Sequence, residues 1–213
     1  MIEQEICNAQ SWCCRNKLTI NVNKSSILLY VRNTELCPSA LTFPITNTIK
    51  LLGVHLNSKL DWTDHIDAIF KKANQRFYAL KQLKPLVNTV DLHTIYIACI
   101  RSLLDYCSPL FVGMNKKLSK RLQQIDSRAH RIIFHDQQKT CSCIDIKSRR
   151  IDTSLKLLQK IETNEHHILH NLLPHRLPRS NHFNIVYCRT HKRQASFLPF
   201  VTRLSNECTS ISA

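Results

Sequence analysis

The sequence predicts a mainly helical α+β fold, in which a small β hairpin joins a helical bundle of about four helices. Three observations carry that expectation. Apolar residues after Trp62 recur at three- and four-residue steps, the period of a helix with one buried stripe. Two runs before it, ILLYVR and TIKLLGVHL, are rich in the residues that favour strands. The 213 residues are 43% hydrophobic and 21% charged, a globular mixture in a chain long enough to bury a substantial core.

Residues 2–15 read as a helix despite polar Asn8 and Gln10. NVNKSS follows as a turn and ILLYVR as a strand. Thr34 to Thr48, with Pro38 and Pro44, reads as a loop or sheet edge, because proline donates no ladder hydrogen bond. TIKLLGVHL (48–56) is expected to be a second strand, with Gly53 inside it marking a bulge or a close backbone approach. The next helix buries Ile66, Ile69, Phe70, Ala73, Phe77 and Leu80; Asp61 or Thr63 caps its start and Pro85 stops it. Asp91 to Leu104 is apolar on nearly every side, which predicts a central, buried helix. Lys117 to Phe134 carries two stripes. Leu118, Leu122, Ile125, Ala129 and Ile132 form the apolar one. Lys117, Arg121, Gln124, Arg128 and Arg131 form a basic one, displaced by about 100° around the axis. Thr140 to Ser148 reads as a loop. A fourth helix, Ile151 to Leu173, is ended by Pro174, and a basic tail of little periodicity follows.

Charge narrows the function. Lys and Arg number 30 against 15 acids, a formal net charge of +15, so polyanions are the expected partners. The excess is concentrated after residue 110, and within the helix from Lys117 only Asp126 offsets it. With glycine only at positions 53 and 113, no phosphate-cradling loop of the P-loop or dinucleotide kind can be assembled. The opening residues lack the basic and apolar regions of a signal peptide, and no apolar run is long enough for a membrane span. The expected setting is intracellular, nucleus or cytoplasm, with the ten cysteines reduced and Cys7, Cys99 and Cys107 acting as small hydrophobes.

Candidate catalytic groups are sparse. No Asp-Asp pair occurs, and Asp61, Asp64 and Asp67 at helical spacing read as complements to a positive helix N-terminus. His166, His167 and His170, with Cys141, Cys143, Cys188 and His191, lack the HExxH or CxxC spacing that holds zinc. They read as surface and interfacial residues, with no metal. No serine or cysteine sits in a nucleophile elbow.

Several segments in order resemble one family. Trp12 with NKLTINVNKS (16–25), IKLLGVHLNSKLDWTDHI (49–66), LHTIYIACIRSLLDYCSPLF (92–111) and LQQIDSRAHRII (122–133) are similar to the downstream part of the reverse transcriptase of non-LTR retrotransposons, the jockey-like and CR1-like mobile elements. The resemblance implies a palm remnant with a strand hairpin over residues 1–60. It implies a thumb-like helical bundle over 61–137 and a basic helical extension and tail over 138–213. Leu52, Gly53 and Val54 correspond to the primer grip, and Lys24 to a palm lysine that helps protonate the departing pyrophosphate. Lys71, Lys72, Lys117, Arg121, Arg128 and Arg131 are then expected on the backbone of a primer–template duplex, RNA–DNA or DNA. In that family the magnesium-holding aspartates lie upstream of the segment that matches NKLTINVNKS. The resemblance therefore implies a truncated piece of an RNA-directed DNA polymerase, not an enzyme as it stands and with no cofactor of its own. The sequence departs from the family at Asn57, where an Asp is common, and at Phe111-Val112-Gly113, where a Trp is usual; residues after about 140 match poorly. The alternative expectation is a freestanding basic helical module that meets an acidic protein.

Overall fold

Residues 2–30, 43–134 and 145–211 are described by the structure, a computed structural model. They are mainly helical with two small two-stranded sheets, and the chain divides into two compact units, Met1–Asp64 and His65–Ala213.

In the first unit, helix α1 (Ile2–Arg15) leads to a 3₁₀ turn (Val22–Lys24) and strand β1 (Ile27–Leu28). β1 pairs in parallel with β2 (Ile45–Thr46). β3 (Thr48–Leu51) and β4 (Val54–Asn57) pair antiparallel, with Thr48 opposite Asn57 and Leu51 opposite Val54. The single strand expected over 48–56 is therefore two strands, and among the described residues neither pairs with the ILLYVR segment. The reversal occurs at Leu52 and Gly53, whose φ values of 47° and 87° are both positive. A two-residue loop of that hand matches the twist of the strands it joins, and glycine in its second position adopts it without strain. Val31, Arg32, Pro38 and most of the Thr34–Thr48 loop lie outside the described residues.

Helix α2 (Thr63–Leu83) is capped by Asp61, whose carboxylate accepts from Thr63 N at 3.1 Å. Its core face is His65, Ile66, Ile69, Ala73, Phe77 and Leu80; Phe70 is only half-buried. The next helix begins at α3 (Thr89–Tyr96), with Asn88 accepting from Asp91 N. It passes through a π turn (Ile97–Arg101) into α4 (Ser102–Asp105). Its buried stripe, Leu92, Tyr96, Ile100 and Leu104, advances in steps of four. Such a stripe would drift around a regular helix, and the wider π turn takes up part of the drift. The expectation of burial on every side fails: Val90, Ile97 and Cys99 are exposed. One apolar stripe is enough to seat the helix, and apolar residues are common on exposed faces.

Helix α5 (Lys116–Phe134) buries Leu118, Leu122, Ile125, Asp126, Ala129 and Ile133, with Ile133 in place of the expected Ile132. Asp126 lies inside because Tyr96 donates its hydroxyl to it and His130 stands 3.7 Å away. His93 stacks on Tyr96 in the same cluster; desolvation lowers its pKa and nearby His130 adds to the effect.

Helix α6 (Ile146–Thr163) starts earlier and stops earlier than Ile151–Leu173, so the end of the expected Thr140–Ser148 loop is helical; residues 135–144 are not described. Asn164 turns extended, φ −109° and ψ 99°. His170 then belongs to a 3₁₀ turn (His170–Leu172) and Ile168 is exposed.

The expected tail is part of the core. After helix α7 (His191–Gln194), helix α8 (Phe197–Ile211) packs on α6, and Leu158, Phe183 and Val201 share one cluster. Pro199 is tolerated because the first amides of a helix have no intrahelical acceptor. The segment before α7 is tied down by Arg176, which grips Glu162 and covers the Phe183 ring 4.0 Å away, and by Asn206, which exchanges two hydrogen bonds with the Phe183 backbone. Among the described residues Cys188 is the one buried cysteine; Cys7 and Cys99 are exposed and Cys107 is half-buried, against expectation.

Truncating Phe183 to alanine is expected to lower unfolding free energy by about 3–5 kcal/mol in urea titrations of the whole chain. An unchanged midpoint would mean that the segment is the loose tail after all.

Candidate nucleic-acid interface

The basic stripe of α5 faces α2, and the contact repeats. Arg121 pairs with Asp67 at 2.7 Å and lays its guanidinium 5.4 Å from the Phe70 centroid. Two turns further along both helices, Arg128 donates to Asn74 Oδ1 at 2.8 Å, and its guanidinium stands 4.9 Å from the Phe77 centroid. The two helices therefore run side by side in one direction. Lys84, near the end of α2, donates to the Ile132 carbonyl, one of the carbonyls left without an intrahelical donor in the last turn of α5.

The six expected cations divide accordingly. Arg121 is half-buried and its charge is met by Asp67. Arg128 meets no acid there, because its partner Asn74 is neutral. Lys71, Lys117 and Arg131 are exposed and make no ion pair among the described residues. Lys71 lies one turn after Asp67 and one before Asn74, so helical spacing puts it on the same edge as the two arginines. Lys72 is about 100° further around α2 and does not join that edge. The outcome is a strip of Lys71, Arg128, Lys117 and Arg131 with Arg121 held inside it. Its length follows from two helices in register, which no single-helix pattern reveals. The aromatic seats Phe70 and Phe77 and the cap supplied by Lys84 were not among the expected site residues; an arginine and an aromatic on separate helices give no local signal.

In the first unit, Leu52 and Gly53 form the hairpin turn and Val54 is buried. Lys24 is exposed at the end of its 3₁₀ turn. Asn57, also buried, donates to Asp61 and Asp64 at 2.9 Å each. The Asn57 bond is the largest cause holding the Asp61 carboxyl below its ordinary pKa, and hydrogen bonds from Thr63 add to it. Asp61 and Asp64 thus share Asn57 as a donor, while Asp67 pairs with Arg121. The histidines are spent similarly: His170 Nδ1 lies 2.8 Å from the Ile161 carbonyl and His167 accepts from Leu169 N. No cluster of three metal-ligating side chains occurs among the described residues, and no described helix is long and apolar enough to cross a membrane. Cys141 and Cys143 lie outside the described residues.

Comparison with protein-family models, curated proteins and solved structures finds no match.

Substituting Asp67→Asn frees Arg121 while leaving the fold in place, because an exposed pair contributes at most about 1 kcal/mol. The expected outcome is tighter binding to an RNA–DNA duplex, with a log–log salt slope steeper by about 0.9 if one further phosphate is met. Unchanged or weaker binding would count against this edge as the interface.

Proposed function

We propose that the chain is the palm-end and thumb part of an RNA-directed DNA polymerase of the jockey-like or CR1-like kind, and that it holds the sugar-phosphate backbone of a primer–template duplex. The observation that carries the reading is the basic edge of α2 and α5, where Lys71, Lys117, Arg128 and Arg131 have no acidic partner among the described residues. Like charges so placed repel one another, and a polyanion relieves that repulsion. Contacts of this kind reach phosphates and leave bases unread, as a polymerase that copies any sequence requires.

The hairpin supports the same reading. A tight turn through Leu52 and Gly53 presents a short backbone segment with little side-chain bulk at the glycine, which suits close approach by a primer end. Lys24 fits the palm-lysine role only beside a metal-bound triphosphate, and these residues supply no Asp-Asp pair to hold one. The proposal therefore assigns backbone binding and no catalysis to the chain.

A salt titration tests it. With an RNA–DNA duplex, log affinity should fall linearly with log salt. Changing Lys71, Lys117 and Arg131 to glutamate should flatten the slope by about 0.9 for each phosphate that is no longer neutralised. A matched acidic protein should bind far more weakly, and primer extension should yield no product. Absence of duplex binding at low salt, preference for the acidic protein, or nucleotide incorporation would each defeat the proposal.

A further inference from the structure

A second basic feature lies elsewhere in the His65–Ala213 unit, and its argument is independent of the polymerase reading. The first turns of α5 and α6 converge with α7 and the start of α8 around a cavity of about 720 Å³, within the range of small-molecule sites. Its walls include Lys116, Lys147, Arg150, His191, Phe200 and Arg203, and no acid lines it among the described residues.

Arg150 is the informative residue. It is only 3% exposed, and its Nε and Nη2 atoms have no hydrogen-bond partner. One face of the guanidinium rests 5.5 Å from the Phe111 centroid. A buried guanidinium with idle donors is costly unless an anion completes it. Burial pulls its pKa below the usual arginine value, while Asp145 and Asp105 act in the opposite sense from a distance. Asp105 is itself taken by Arg149. Arg203 is committed to backbone carbonyls, donating to Pro199 and Gln194. Arg150 is therefore the buried cation of this cavity whose Nε and Nη2 have no partner; both are sealed from water, so an anion meets them only when the guanidinium turns toward the cavity.

The helix ends add to this. Neither α5 nor α6 has an acid in its first turn, and each places a lysine there instead; Asp145 stands at the N-cap of α6 without bonding its amides, so the α5 end is the more positive of the two. Cations at the positive end of a helix are unfavourable, and an anion between two such ends reverses the sign of both interactions.

We propose that this cavity binds a phosphate-bearing ligand of nucleotide size, with Lys116 and Lys147 at the mouth, the Arg150 guanidinium turning toward the cavity to meet the phosphate, and Phe200 beside the remainder of the ligand. The phosphate belongs either to a free nucleotide or to the terminus of a nucleic-acid strand, and the same chemistry serves both.

Calorimetric titration of the whole chain with inorganic phosphate, a nucleoside monophosphate, and oligonucleotides with or without a 5′-phosphate tests the site. Saturable phosphate binding is expected, with the monophosphate or the 5′-phosphorylated strand tighter than the unphosphorylated strand; which of the two is tighter identifies the source. Arg150→Met should weaken binding about tenfold or more, the loss expected for a charge-assisted bond. If that variant does not fold, Lys116→Gln with Lys147→Gln, both at the mouth, should weaken phosphate binding without lowering the melting temperature. Failure of every phosphate ligand to bind, equal affinity for phosphorylated and unphosphorylated strands, or binding unaffected by the folded variants would overturn the assignment. Loss of duplex affinity in the α2–α5 edge variants would leave this result untouched, so the two proposals fail separately.

Discussion

The registration of α5 on α2 is the constraint from which the functional surface follows. An arginine that covers an aromatic ring and ties to a polar side chain, repeated after two turns, fixes both the direction and the axial offset of the two helices. Each such contact is individually modest: an exposed ion pair contributes at most about 1 kcal/mol, and a cation over an aromatic face about 0.5–1 kcal/mol at an exposed site. What they supply is alignment. The apolar residues of the two helices, Phe77 and Leu80 on one and Leu122, Ile125 and Ala129 on the other, are fully or nearly fully buried, and such burial provides the larger share of the stabilisation. Because the offset is fixed, Lys71 and Arg128 share one edge, and a strip of positive charge extends across two elements.

The C-terminal third uses charge differently. Arg176 closes on Glu162 and Phe183, and Arg149 on Asp105, so these arginines join elements. Arg150 lies next to Arg149 and is buried without partners for two of its nitrogens. Gly113 shows how closely the parts fit, since a methyl group there would overlap the Ala195 carbonyl. The chain before α5 and the chain before α8 thus meet backbone to backbone, which forms one wall of the cavity around Arg150.

Much of the helical part was legible in the sequence, for a physical reason: α2 and α5 have one apolar stripe each, and a 3.6-residue period exposes them. The stripe of α3 and α4 was legible but its surroundings were not, because apolar composition alone does not say which faces remain in water. The hairpin at Leu52 and Gly53 reads locally as one strand. Only the positive φ of both turn residues divides it, and leucine in such a position is an uncommon choice. The final helix hid behind Pro199, a breaker in a helix interior and harmless in a first turn. Individual cations were equally legible, but not their fates. Arg121 and Arg128 look alike in sequence, yet one meets an aspartate and the other an asparagine. Arg150 looks like any surface arginine until the packing of α6 encloses it.

The most direct test of the central claim is lysine acetylation read by mass spectrometry, with and without a saturating RNA–DNA duplex. Slower labelling of Lys71 and Lys117 on addition of duplex, with Lys156 on the outer face of α6 unaffected, is the predicted result. Equal labelling of Lys71 and Lys117 in the two states would contradict it.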